Sequence, residues 1–197
     1  MRNDHDYRET LARRLFRAGV LAALPVAHVN AASDISTRQN TISVEHIEIH
    51  SAKTFDDVAK ALETTVKPLD PRLPEAMANG DAATAGRIVG DTPLFIFGKR
   101  DHGAILRVAG QNRKAIQYDI GNPMTATEMT RHRIEASLYA PLRVTLYENT
   151  DGGCTFAYDR PSSLFGQFGD ARVSAVAQRL DQELKAALLR AESAARQ

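Results

Sequence analysis

The chain has 197 residues, of which 25 are Lys or Arg and 24 are Asp or Glu, giving a formal net charge of +1. This balance disfavours binding to nucleic acid, which requires a clear excess of basic side chains. A hydrophobic fraction of 43% is ordinary for a folded chain, and the length suits one domain with an appendage. The single cysteine, Cys154, excludes an intrachain disulfide and a multi-cysteine metal site. Because no apolar run approaches the roughly 20 residues that span a bilayer, we predict no membrane span.

Residues 1–31 have the layout of an export leader. Five arginines lie within residues 1–17, and an uncharged stretch follows over residues 18–31. Val29 and Ala31 lie three residues and one residue before the predicted cleavage site. Both are small, as a signal peptidase requires at these two positions.

The run Arg13-Arg14-Leu15-Phe16-Arg17 is similar to a twin-arginine export signature. We therefore predict a cleaved leader over 1–31, a linker over 32–41 and a single domain over 42–192. This organisation implies an exported protein of the periplasm or the extracellular space. The alternative is an Arg-rich arm that stays attached to a cytoplasmic protein.

Local patterns of apolar residues predict the strands and helices of the domain. Strands are predicted over 44–50, 94–97, 104–108, 114–120, 142–148 and 154–159. Helices are predicted behind the capping residue Thr54, over 82–89, from Thr125 to 138, and over 173–191. Three prolines make the rest of 68–93 irregular, and the run 94–97 is apolar on both faces, which is typical of a central strand. Because the strands cluster instead of alternating with helices, the order favours an antiparallel α+β fold with a long C-terminal helix.

The segment 149–153, Asn-Thr-Asp-Gly-Gly, predicts a hairpin turn between the last two strands. We expect Glu148 to pair with Cys154 across it. The pairs that follow are Leu146–Phe156 and Val144–Tyr158 on the core side, and Tyr147–Thr155 and Arg143–Asp159 on the outer side. The predicted core comprises Ile47, Ile49, Phe55, Val58, Leu62, Ile96, Ile116, Tyr118, Leu142, Val144, Leu146, Phe156, Val176, Leu180 and Leu184.

Several short motifs occur in order along the domain. They are Asp101-His102-Gly103, Gly121-Asn122-Pro123, Ala140-Pro141-Leu142-Arg143-Val144, Tyr147-Glu148, and Tyr158 with Pro161. Through them the chain, over about residues 42–190, resembles the bacterial domain of unknown function 302. Ala140 stands where that family usually has leucine, and 67–92 is longer than the family's corresponding region. The resemblance implies a curved antiparallel sheet with helices on one side, and it implies no activity.

Asp101, His102 and Asn122 are the candidate catalytic residues. A carboxylate beside an imidazole could orient a general base, and the alternative function is therefore a small hydrolase-like enzyme built on these three residues. Adjacent residues of an extended segment point in opposite directions, however, and a turn at Asp101 explains the sequence equally well. Cys154 as a nucleophile is disfavoured, because strand alternation places its thiol in the core.

The sequence predicts neither a metal site nor a cofactor. His46, Glu48 and His50 share one strand face, but the two imidazoles of a flat strand are about 13 Å apart, too far to bind one ion. Gly121-Asn122-Pro123 lacks the glycine spacing and the lysine of a nucleotide-binding loop. It precedes a helix N-terminus, which could receive an anion, although a helix-entry turn is the simpler interpretation.

The outer sheet face is the predicted ligand-binding surface. Its candidate residues are Gln117, Asp119, Arg143, Tyr147 and Asp159, which share one strand parity. Such a set can seat a polar small molecule or pair with a second copy of the chain, and simple solvent exposure is the remaining interpretation. We favour a small ligand over a homo-oligomer, because a dimer core is normally more apolar. The leading hypothesis is thus an exported, non-enzymatic module for a small ligand or a protein partner.

Overall fold

The computed structural model describes residues 35–195, so the predicted leader over 1–31 lies outside the described residues. The strands are β1 (His46–Ser51), β2 (Phe95–Asp101), β3 (Ala115–Gly121), β4 (Leu142–Glu148) and β5 (Cys154–Asp159). The helices are α1 (Phe55–Thr65), α2 (Leu73–Ala78), α3 (Ala82–Val89), α4 (His102–Val108), α5 (Pro123–Thr130), α6 (Pro161–Phe165) and α7 (Ala171–Ala194). Two 3-10 helices cover Ile134–Tyr139 and Gly166–Phe168.

The strands form one antiparallel sheet in the order β1-β5-β4-β3-β2. Its inner face packs against α1 and α7, so the predicted α+β fold with a long C-terminal helix is confirmed. None of the helices between residues 35 and 195 is long and apolar enough to cross a membrane.

The hairpin of β4 and β5 has the predicted register. Glu148 lies opposite Cys154, and Leu146 lies opposite Phe156. The turn requires glycine, because Gly153 has a φ of 73° and an added Cβ would lie 2.1 Å from the carbonyl oxygen of Ser51. The turn sequence therefore fixes both the hairpin and its close approach to the end of β1.

The core lies on one face of the sheet, as predicted. Every residue of the predicted core belongs to one cluster, with Ile47, Ile49, Ile96 and Ile116 half-buried at its margin. Alternation along the strands supplies the sheet side of this core, and the apolar stripe of α7 supplies the helix side.

The prediction of a central strand over 94–97 is wrong, because β2 forms an edge of the sheet. Two features cover the start of this edge strand. The Ile96 amide donates to the carbonyl of Lys67 at 2.9 Å, so the chain before α2 covers the strand edge. Phe95 packs in a second, smaller cluster under α2 and α3. The apolar run thus reflects local cover and not a central position, and α2 is a helix within the stretch predicted to be irregular.

Two further predictions are corrected at helix starts. Residues 104–108 belong to α4 and not to a strand, because the Asp101 carboxylate accepts a hydrogen bond from the Ala104 amide at 2.9 Å and caps the helix. The next helix begins at Pro123 and is capped by Asn122, not by Thr125. This helix, α5, ends at Thr130, and a separate 3-10 helix covers Ile134–Tyr139. The cap at Thr54 is confirmed, since its hydroxyl accepts from the Asp57 amide at 3.2 Å.

Candidate binding pocket and polar shelf

A mainly apolar pocket lies where the ends of β2, β3 and β4 meet α5, and we call it the end pocket. Its volume is about 160 Å³. Its apolar walls include Phe97, Pro123, Met129, Pro141, Phe165 and Leu180. Met129 and Phe165 belong to the buried core, whereas the Phe97 side chain is 37% exposed. The pocket therefore extends from the core to the surface.

Asn122 shapes the end pocket, and both ends of its side-chain amide are hydrogen-bonded to the backbone. Its Oδ1 accepts from the amides of Met124 and Thr125, at 2.9 and 3.3 Å, which caps α5. Its Nδ2 donates to the carbonyl oxygen of Thr92 at 2.9 Å. Because both ends of the side-chain amide have backbone partners, Asn122 holds the start of α5 against the strand ends.

A shallow polar concavity adjoins the end pocket on the outer sheet face. We call it the polar shelf, and it comprises Arg100, Gln117, Asp119 and Arg143, flanked by Leu138. Ala140 and Pro141 line both the end pocket and the polar shelf, so the two concavities meet across this pair. An apolar recess and a charged surface are therefore neighbours.

The charges of the polar shelf are unequally paired. Arg100 donates to Asp119 Oδ1 at 3.0 Å and lies 2.8 Å from Oδ2. Its Nη1 also donates to Gln117 Oε1 at 3.2 Å. Arg143 lies opposite Asp119 in the strand register and is exposed, yet it forms no ion pair with any residue of 35–195. The shelf thus presents one unneutralised guanidinium group.

Three of the predicted ligand-binding residues, Gln117, Asp119 and Arg143, therefore lie together. The other two lie elsewhere on the outer face. The Tyr147 hydroxyl donates to Glu48 Oε1 at 2.9 Å, and partial burial together with this hydrogen bond raises the pKa of Tyr147. Arg143 forms no ion pair with Asp159, although the β4–β5 register agrees with the prediction that they face each other, because the Asp159 carboxylate is hydrogen-bonded to His46 Nδ1 at 2.9 Å.

The structure does not bring the candidate catalytic residues together. Asp101 lies opposite Ile116 at one end of β3, whereas Asn122 follows Gly121 at the other end. Six residue steps of about 3.3 Å each lie between Ile116 and Asn122, so about 20 Å separates the two ends. Asp101 is occupied as the cap of α4, so no site containing Asp101, His102 and Asn122 forms. His102 is half-buried, and its Nε2 has no hydrogen-bond partner within the described chain.

Cys154 and the histidines of β1 are also separated from the end pocket. Cys154 is fully buried, and burial raises the pKa of its thiol to about 11, so the thiol is inert as a nucleophile. His46 and His50 have separate partners, Asp159 and Thr155. Within residues 35–195 no group of three or more His, Cys, Asp or Glu side chains could hold a metal ion.

Sequence reasoning missed Arg100, Phe97 and Leu138. The predicted strand stopped at residue 97, whereas β2 continues to Asp101. A bulge between Ile96 and Gly98 then reverses the alternation, which places Arg100 beside Gln117 on the outer face. Regular alternation from Ile96 would have placed Arg100 on the core face, so only the glycine at position 98 hinted at the bulge.

Comparison with known proteins places the chain in a family. Among curated proteins none matches it. The fold is similar to the crystal structure of an uncharacterized conserved DUF302 protein from Bacillus stearothermophilus, with a TM-score of 0.55 and 14% identity over 74% of this chain and 97% of that chain. At this identity the likeness shows the fold alone. The sequence model for the domain of unknown function DUF302 matches residues 87–191, which is more than half of the chain. The chain belongs to the DUF302 family.

Proposed function

We propose that this protein is an exported, non-enzymatic module that binds a small, mainly apolar molecule in the end pocket. The observation that carries the proposal is the pocket itself, with apolar walls and a volume of about 160 Å³. An apolar protein cavity of about 150 Å³ is sufficient to bind benzene. The end pocket therefore suits one aromatic ring or a short aliphatic chain.

The chemistry of the pocket walls supports binding over catalysis. Among the described residues that line it, only Asn122 and Thr125 have polar side chains, and no lining side chain titrates. General acid–base or nucleophilic catalysis requires such a group within hydrogen-bond reach of the substrate. Both ends of the Asn122 side-chain amide are already hydrogen-bonded to backbone atoms.

Export is supported by the sequence of residues 1–31, where an Arg-rich segment, an uncharged stretch and small residues at the cleavage site follow one another. Sequencing the N-terminus of the protein purified from its own host tests this part of the proposal. We expect the chain to begin at Ala32, and a chain that retains the arginines of 1–17 would contradict export by cleavage.

The binding is tested by filling the end pocket. Ala126 lines the pocket from α5 and is half-exposed, so Ala126→Phe occupies the space without deleting a core contact. Benzyl alcohol is the probe, titrated while amide chemical shifts are followed by NMR. We expect wild-type protein to show saturable shifts at Gly121 and Ala126, with a Kd on the order of 1 mM. In Ala126→Phe the affinity for benzyl alcohol, followed at Gly121, should fall at least tenfold.

Ala83→Phe is the matched control, since Ala83 is exposed on α3 and does not line the end pocket. It should bind benzyl alcohol like the wild type. Absence of saturable shifts in the wild type, or equal binding by Ala126→Phe, would show that the end pocket is not a binding site.

A further inference from the structure

We infer that the ligand of the end pocket is an amphipathic monoanion, an aryl or short-chain carboxylate, whose charged group binds Arg143 on the polar shelf. This inference rests on the proposed function, because it assigns the apolar part of the ligand to the end pocket. It adds the chemical class of the ligand and the residue that selects it.

The first step is the adjacency of the two concavities. Ala140 and Pro141 line both the end pocket and the polar shelf. A molecule longer than the pocket that passes this pair of residues reaches the shelf. Leu138, which is 74% exposed, flanks the shelf and offers an apolar contact for the connecting atoms.

The second step is the charge of the polar shelf. Asp119 neutralises Arg100 through contacts of 2.8 and 3.0 Å, and its side chain is only 14% exposed. Arg143 has no such partner among residues 35–195. The shelf therefore carries one net positive charge, which one carboxylate would balance. A dianion would exceed it and would also approach the carboxylate of Asp119.

The third step is hydrogen-bond geometry. A guanidinium group presents parallel N–H donors that match the two oxygens of a carboxylate. Gln117 uses Oε1 to accept from Arg100 at 3.2 Å, and its Nε2 has no acceptor among the described residues. Arg143 and Gln117 thus supply donors to the shelf from the neighbouring strands β4 and β3.

The test compares three probes on the full chain. 3-Phenylpropionate and 3-phenylpropan-1-ol share a ring and a three-carbon chain but differ in charge, and acetate has the charge without the ring. In 20 mM NaCl we expect 3-phenylpropionate to bind about fivefold more tightly than the alcohol, as an exposed ion pair allows. We expect acetate to bind at least tenfold more weakly than 3-phenylpropionate, because it buries no ring. Raising NaCl to 300 mM should remove the advantage over the alcohol.

Arg143→Gln should reduce the advantage of 3-phenylpropionate over the alcohol to less than twofold, chiefly by weakening the binding of 3-phenylpropionate. Arg190→Gln is the matched control, because Arg190 is exposed on α7 and its replacement removes the same charge. This control should keep the advantage.

Each of the other possible results contradicts one part of the proposal. If the alcohol binds and 3-phenylpropionate binds no more tightly, the assignment of a carboxylate is wrong and the proposed function stands. Equal binding of acetate and 3-phenylpropionate would show that the ring contributes nothing and that the shelf binds any small anion. A loss in Arg190→Gln equal to that in Arg143→Gln would mean that net charge and not Arg143 selects the anion. If no probe binds, the proposed function and this inference both fail.

Discussion

The two faces of the sheet are held by different forces, although their residues alternate along the same strands. On the core face, Tyr118, Val144, Leu146 and Phe156 are almost completely buried against the helices. Burial of apolar surface is not directional, so this face requires close packing and not matched donors and acceptors. The outer face is held by specific polar contacts between strands. The core face therefore supplies the buried apolar area of the fold, whereas the outer face carries the partly exposed polar side chains.

One hydrogen bond on the outer face joins two strands that are not neighbours in the sheet. Glu48 on β1 reaches Tyr147 on β4 across β5, where its register partner is Ala157. The contact between Glu48 and Tyr147 therefore joins strands that are not neighbours, which strand alternation alone cannot reveal.

The largest expected effect separates the two faces at neighbouring positions of β4. Leu146 is fully buried opposite Phe156, and Thr145 points to the outer face. We expect Leu146→Ala to lower the free energy of unfolding by about 3 kcal/mol, since it removes buried methyl groups and leaves a cavity. Thr145→Ala is the matched control and should lower it by about 1 kcal/mol or less, in keeping with strand propensity. Urea denaturation measures both, and equal losses would contradict the division between the faces.

An intermediate effect concerns the thiol of Cys154 on the core face. Burial raises its pKa from an ordinary value of 9.0 to about 11, so the folded state disfavours the thiolate. Its contribution to stability is fully present below pH 9 and is lost as the pH rises towards 11. We expect the wild type to lose about 2 kcal/mol of unfolding free energy by pH 10.5 relative to Cys154→Ala.

The comparison uses urea denaturation of both proteins at several pH values between 8 and 10.5. Other groups that titrate in this range are common to both chains, so the difference isolates the thiol. Parallel curves for the two proteins would mean that the thiol is accessible to water and that this part of the core face is open.

The sequence was sufficient for those elements whose pattern is local. The hairpin register followed from the alternation of β4 and β5 and from the glycines at 152 and 153, and α7 followed from its apolar stripe. The core followed from the same alternation. In these elements the residues that decide the structure are close together in the chain.

The failures arose where a distant segment or a bulge decides the outcome. The chain before α2 covers the edge of β2, so an apolar run that resembles a central strand lies at the edge. The Asp101 cap turns residues 104–108 into a helix. At the candidate site, the alternation of residues along the strands identified Gln117, Asp119 and Arg143. It could not identify Arg100, because the bulge before Gly98 reverses the alternation. The end pocket could not be predicted, because its walls come from six separate elements and their connections.

The smallest expected effect is on the outer face, at the hydrogen bond of 2.9 Å between Tyr147 and Glu48. Both side chains are partly exposed, so water replaces the bond when it is lost. We expect Tyr147→Phe, Glu48→Gln and the double variant to give a coupling free energy of about 0.5 kcal/mol or less. Glu48→Gln should also lower the raised pKa of Tyr147, which NMR titration follows.

Native mass spectrometry of the same three variants adds a second measurement on this face. If the outer face only binds a small molecule at its polar shelf, the number of chains per particle should match the wild type in all three. A coupling above about 1 kcal/mol would make the contact as strong as a buried one. A change in the number of chains would make the outer face an interface between copies. Either result would end the distinction between a face that stabilises the fold and a face that is available for binding.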